Sequence, residues 1–198
     1  MVSKKYKFIF VHIPKSAGIS IRSALEKYAD VVIYGHFNIE QIINRSKSKN
    51  ITHTEAESYF KFGFVRNPWD RFVSCFNYFK HYGNRVYMDV HNGNIINRYK
   101  SFHEFVLDFP NMHGEFKDRH FLPQTTWTHE LDFIGQFENI NNDFAKICKI
   151  CKLPNIIAPH HNKSKTNQQN YRSYYNDKTA DIIRTHYQQD IDTLGYEY

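Results

Sequence analysis

The chain has 198 residues, of which 41% are hydrophobic and 17% aromatic, enough apolar material for a buried core and too much for a disordered segment. Its formal net charge of +6 at pH 7 suits a protein that holds polyanionic ligands, and does not by itself separate that class from a weak nucleic-acid binder. No stretch approaches the roughly 18 apolar residues of a membrane span; the 3 cysteines, odd in number and sparse, argue against a disulfide framework and for a reducing, cytoplasmic setting.

Read in chain order, residues 7–12 (KFIFVH) form a short apolar run fit for a buried parallel strand, and residues 18–28 follow as a helix. Residues 31–34 predict a second short strand before Gly35 and His36, residues 39–44 a helix, and residues 46–54 a polar loop. Residues 61–65 (KFGFV) predict the next strand. Behind them Asn67 stands as N-cap, Pro68 at the first helical position and Asp70 in the first turn of a helix reaching Tyr82. Trp69, Phe72, Val73, Phe76 and Phe79 give that helix a core-facing stripe. Residues 82–97 are Gly/Asn-rich and predict irregular chain; residues 102–109 read as a short helix stopped by Pro110, and residues 110–130 as loop. A last strand is expected over residues 131–136, a helix over 141–152 and an amphipathic helix over 177–190.

Strands alternating with helices imply one α/β domain over residues 1–198, a central parallel sheet flanked by helices with ligands at the carboxyl ends of its strands. Two strand-to-helix turns lie there. In HIPKSAGIS, residues 12–20, the small residues Ser16, Ala17 and Gly18 allow close backbone approach to an anion, the helix start offers N–H groups, Lys15 a charge and Ser20 a hydroxyl. The nucleotide-triphosphate loop differs, because here the lysine precedes the glycine and no Lys-Ser/Thr pair opens the helix. An ordinary capped turn is the plain alternative. In FVRNPWDRFVS, residues 64–74, Arg66 leaves a strand and Ser74 stands two turns into the next helix, both able to meet an anion; an Arg66–Asp70 ion pair is the plain alternative.

Together these two segments resemble the 5′-phosphosulfate and 3′-phosphate motifs of sulfotransferases that use 3′-phosphoadenosine 5′-phosphosulfate (PAPS), in particular the carbohydrate enzymes related to chondroitin and heparan sulfate 2-O-sulfotransferases. GHF at residues 35–37, LPQ at 122–124, DFIGQFENINNDF at 132–144 and HHNKSKTNQQNYRSYY at 160–175 follow in the order of that family. The resemblance departs at Ser20, where threonine is commoner, and in the shortness of the chain.

The resemblance implies a P-loop-like three-layer fold and sulfuryl transfer from PAPS to a hydroxyl, most naturally of a sugar, with no metal required; the residues themselves predict no nucleic-acid partner and no membrane span, so the family's Golgi setting is not expected to carry over. It gives Lys15 the charge growing on the bridging oxygen, residues Ser16, Ala17, Gly18, Ile19 and Ser20 the 5′-phosphate, Arg66 and Ser74 the 3′-phosphate, and Asn162, Lys163 and Ser164 a late loop over the nucleotide. The acceptor needs a base titrating near working pH, which suits histidine. His36 matches the Gly-His of the 2-O enzymes; His12 and His120 are rivals, with a buttress to the phosphate loop as the plain alternative for His12, and His120 and Gln124 are expected to face the acceptor. Cys148 and Cys151 with His160 and His161 offer only an irregular zinc spacing. A P-loop kinase and a non-catalytic anionic-glycan or nucleotide-binding module on the same fold are the competing readings.

Overall fold

In the computed structural model, residues 1–82, 87–112, 119–154, 156–157 and 170–198 are described. They form two compact units, residues 1–66 with 124–163 and residues 67–123 with 164–198.

The first unit is built on a four-stranded sheet in the order β1 (Val2–Ser3), β2 (Phe8–Val11), β3 (Phe60–Val65), β4 (Phe133–Gln136). Strands β2, β3 and β4 are parallel, with Phe10 opposite Phe62 and Gly63 opposite Ile134, whereas β1 runs antiparallel to β2. The expected parallel centre is present, and the sheet is mixed because β1 closes its edge. Phe8, Phe10, Phe62 and Phe64 share one face with Ile21 and Leu25 of α1 (Gly18–Leu25) and Phe144 and Ile147 of α8 (Ile140–Ile150). Ile9, Val11 and Val65, which point the other way, are buried as well. Burial on both faces explains why these strands read as continuous apolar runs, each large side chain contributing about 1.5–3 kcal/mol.

One strand and one loop expectation for this unit are corrected. Residues 31–34 form no strand: Val31 makes one antiparallel bridge to Val2, because β1 already occupies the free edge of β2. Residues 46–54 are partly helical, with a turn of 3-10 helix at Lys47–Lys49 and α3 (His53–Glu57), whose start is closed by a reciprocal cap between Thr52 and Glu55. Between them and α1 lies α2 (Ile39–Ser46), capped likewise by Asn38 and Gln41. The short α7 (Thr125–Thr128) precedes β4.

The second unit is helical. Asn67 begins α4 (Pro68–Tyr82) as expected, its Oδ1 accepting from the Trp69 N–H at 3.1 Å. Packed with it are α5 (Tyr87–Asn97), α6 (Phe102–Asp108), α9 (Asp177–His186) and α10 (Gln188–Leu194). Helix α5 overturns the irregular reading for residues 87–97. Its Ile95 and Ile96 are buried in the unit's core, and that packing outweighs the poor helix propensity of Gly and Asn. Residues 110–130 likewise hold the 3-10 turn Arg119–Phe121 and α7. The final helix breaks at Tyr187, whose backbone leaves helical geometry (φ −106°, ψ 24°) while its hydroxyl donates to the Phe121 carbonyl at 2.8 Å.

Phe72 stands at the centre of this unit, fully buried with the rings of Phe102, Phe105, Phe109, Phe121 and Tyr187 at centroid distances of 5.0–6.3 Å. Most polar atoms among the rings find main-chain partners: Trp69 Nε1 donates to Ala180 O, Tyr175 Oη to Trp69 O, and the buried Arg71 to the carbonyls of His120 and Leu122 through Nη1 and Nη2 at 2.8 and 2.7 Å, its Nε making no hydrogen bond. Burial pushes the Tyr187 and Tyr175 hydroxyls well above the usual phenol range. Phe72→Ala is expected to lower the unfolding free energy by about 3–5 kcal/mol, read by urea denaturation, with Phe72→Leu losing clearly less.

Candidate active site

Both turns singled out in the sequence leave the carboxyl ends of parallel strands of the first unit, the first after β2 and the second at the end of β3. In the first, Lys15 and Ala17 take left-handed backbone conformations, φ 63° and 62°, each costing an L-residue roughly 1–2 kcal/mol. Left-handed residues alternating along a turn gather successive N–H groups on one side, the concave arrangement that receives anions. Ala17 is also the N-cap of α1, with no side-chain cap and no acidic residue in the first turn. The positive end of that helix is therefore dressed for an acceptor from outside the loop.

Gly18 has another reason to be glycine than close approach to an anion. Its backbone is not left-handed; a Cβ there would stand 1.7 Å from Cδ2 of His12 and 2.0 Å from its Nε2. The imidazole of His12 thus fills the space beside the helix start. Ser16 is buried and turns its hydroxyl toward Pro14 O (3.4 Å) and Gln124 Oε1 (3.3 Å); Ser20 is buried, Ile19 exposed and Lys15 half-buried.

Arg66 is the second anchor. Its guanidinium donates to the Lys15 carbonyl at 3.3 Å and lies over the Phe137 ring, 4.2 Å from the centroid, so the two turns meet. They are also joined by Gln124, whose Oε1 accepts from the Arg66 N–H at 2.9 Å and whose Nε2 donates to the Arg66 carbonyl at 2.9 Å. Gln124 was expected at the acceptor; it is fully buried, and its amide is a tie between the loops. Asp143 does related work after β4, accepting from Gln136 N–H, Asn139 Nδ2 and Lys146 Nζ at 3.0, 3.1 and 2.8 Å.

His36 reaches the same rim without a strand behind it. Gly35 turns the chain at φ 109°, where an L side chain is strained, and the His36 ring packs edge-on against His12, centroids 4.6 Å apart. Its Nδ1 lies 2.8 Å from the His12 carbonyl. Aromatic and guanidinium groups flank it, Arg22 over Tyr34 at 4.7 Å and Arg45 over Phe37 at 3.9 Å.

Lys15, Arg66, His12 and His36 therefore belong to one unit, in which Arg66 contacts Lys15 and His36 contacts His12. Ser74 and His120 lie in the second unit, Ser74 on α4 and His120 with its ring stacked on Tyr78 and edge-on to Phe79. Asn162, Lys163 and Ser164, like His160 and His161, fall outside the described residues. Cys148 and Cys151 face the apolar interior, where burial pushes the Cys151 thiol up to about 12 and keeps it protonated. Among the described residues no three His, Cys, Asp or Glu side chains form a group able to hold a metal ion, and no helix is long and apolar enough to cross a membrane. Sequence reading missed the joining role of Gln124, which a pattern of residue types does not encode; a buttress to the loop was the plain alternative for His12, and its ring stands against Gly18.

With that geometry in place, the chain was compared with known proteins. The profile of the sulfotransferase family matches residues 1–197. Carbohydrate sulfotransferase 14 of Mus musculus is 24% identical over 188 residues, covering 78% of this chain and 46% of that protein. Carbohydrate sulfotransferase 9 of Homo sapiens is 25% identical over 214 residues, covering 90% and 48%. An uncharacterized protein of Archaeoglobus fulgidus is 33% identical over 106 residues, covering 50% and 72%. The chain spans about half the length of the carbohydrate sulfotransferases it matches. No solved structure matches. Gln124→Ala is expected to strand the Arg66 N–H and carbonyl in the interior and to lower the unfolding free energy by roughly 2–4 kcal/mol. Gln124→Glu, which sets an acceptor oxygen against the Arg66 carbonyl and buries a carboxyl group, should lose at least as much in the same denaturation measurement.

Proposed function

Because the chain belongs to the sulfotransferase family, whose profile runs through both of its units, we propose that it transfers a sulfuryl group from PAPS to a hydroxyl of a carbohydrate acceptor, with residues 1–198 acting as one functional domain. The joined turns carry this reading: the Arg66 guanidinium on the Lys15 carbonyl and the Gln124 amide between the loops hold two cationic residues and an uncapped helix start at one rim of the sheet. The names of the relatives, carbohydrate sulfotransferases 14 and 9, support a sugar as the acceptor. The free cysteines Cys75, Cys148 and Cys151 support a reducing, cytoplasmic setting.

Sulfuryl transfer resembles phosphoryl transfer in passing through a loose, in-line transition state, so positioning and electrostatics supply most of the catalysis. The acceptor oxygen bonds to sulfur as the bond from sulfur to the 5′-phosphate oxygen breaks. The acceptor proton passes to His36, and negative charge collects on the departing phosphate. Lys15 offsets that charge. The turn over residues 16–20 receives the 5′-phosphate through main-chain N–H groups, since the Ser16 hydroxyl points inward to Gln124. Arg66, whose fork suits two phosphate oxygens, is the residue of this unit that would distinguish a 3′-phosphorylated donor from an ordinary adenine nucleotide.

Isothermal titration with PAPS and with ATP tests the donor: PAPS should bind at least about tenfold more tightly, and Arg66→Ala should erase most of the difference. Comparable affinities for both nucleotides would remove the 3′-phosphate assignment and favour the kinase reading. Sulfate transfer to a panel of glycans should fall about 100-fold or more in Lys15→Ala with donor affinity changed far less. Binding of PAPS without turnover on any hydroxyl acceptor would instead mark a non-catalytic nucleotide-binding module.

A further inference from the structure

We propose that His12 is a positioning residue that carries the placement of the donor loop to the base: its ring spaces Gly18 from His36, and its main chain fixes the His36 proton on Nδ1. This rests on the reading of His36 as base. Three contacts meet at His12. Its imidazole occupies the volume a Cβ at Gly18 would need, so α1 cannot approach β2 more closely while that ring is present. The same ring stacks on Phe10 of β2, centroids 6.2 Å apart and planes 17° from parallel, and meets the His36 ring at 4.6 Å and 71°. Its carbonyl oxygen lies 2.8 Å from His36 Nδ1.

A carbonyl oxygen can only accept, so the Nδ1 atom at that distance must carry the hydrogen, and in a neutral imidazole the lone pair then sits on Nε2. When His36 takes the acceptor proton on Nε2, the Nδ1–H remains on the His12 carbonyl and that hydrogen bond strengthens as the ring becomes cationic. The base is thereby supplied with its tautomer, its orientation and part of its charge stabilisation by the residue that also sets the donor loop. Gly18 belongs to the same device as the position that leaves room for it.

The test is carried out on the full chain with ¹⁵N-labelled histidine, using long-range ¹H–¹⁵N correlation and His36→Gln to assign the signals. In the unaltered protein, neutral His36 should show a protonated Nδ1 and a bare Nε2. In Gly18→Ala the His36 nitrogen signals should move, and in Gly18→Ala/His12→Ala they should lie where His12→Ala alone places them. A His36 found in the Nε2–H form overturns the proposal, as do His36 signals that ignore Gly18→Ala or move equally without the His12 ring. If Gly18→Ala does not fold, the tautomer of the unaltered protein still decides. None of these readings needs turnover, so unchanged sulfate transfer in His36→Ala would remove the base assignment while the His12 coupling is judged separately.

Discussion

The carboxamide of Gln124 is the interaction on which the rim of the first unit depends. One side chain satisfies both main-chain polar groups of Arg66 and accepts from the Ser16 hydroxyl, all with Gln124 fully buried. Buried donors and acceptors left without partners are costly, whereas each bond made adds only a modest net gain. The arrangement is therefore defined mainly by what its loss would expose. It makes the end of β3 and the turn after β2 a single piece, with the Arg66 guanidinium on the Lys15 carbonyl as a second fastening.

That fastening explains how the turn after β2 tolerates its backbone. Left-handed conformations at Lys15 and Ala17, neither a glycine, persist only where the surroundings over-determine them. The buried Ser16 between them, the Arg66 contact on the Lys15 carbonyl and the helix beginning at Gly18 do so here. The strain is local, and its product is a set of N–H groups turned to one side at the start of α1. The one glycine of the turn is used differently, to admit the His12 ring.

The second unit shows how an aromatic-rich segment becomes ordered structure. Trp69, Phe72, Phe76 and Phe79 project from α4 at helical spacing, and rings from α6, the 3-10 turn Arg119–Phe121 and Tyr187 fill the space around Phe72. Offset and edge-on ring contacts contribute beyond simple burial. Arg71, fully buried, holds two carbonyls of the Arg119–Leu122 turn and lies over the Tyr187 ring at 5.0 Å. Its charge is spread over carbonyl dipoles and a π face.

The sequence by itself determined the elements whose cause is local. The apolar runs of β2 and β3, the Asn67-Pro68 start of α4 and its aromatic stripe could be read directly, because strand burial, capping and helical period are written in neighbouring residues. So could the two strand-to-helix turns at the ends of β2 and β3, through their residue types and order. The lone bridge at Val31, the helix over the Gly/Asn-rich residues 87–97, the break at Tyr187 and the contacts made by Gln124 and His12 were decided only by tertiary structure. Long-range partners and competition for a sheet edge stand behind them: Val31 yields to β1, Gln124 serves Arg66 across 58 positions, and His36 finds His12 across 24. Packing energy that accrues between distant segments leaves no periodic trace in either one, and for that reason it appears only when the chain is folded.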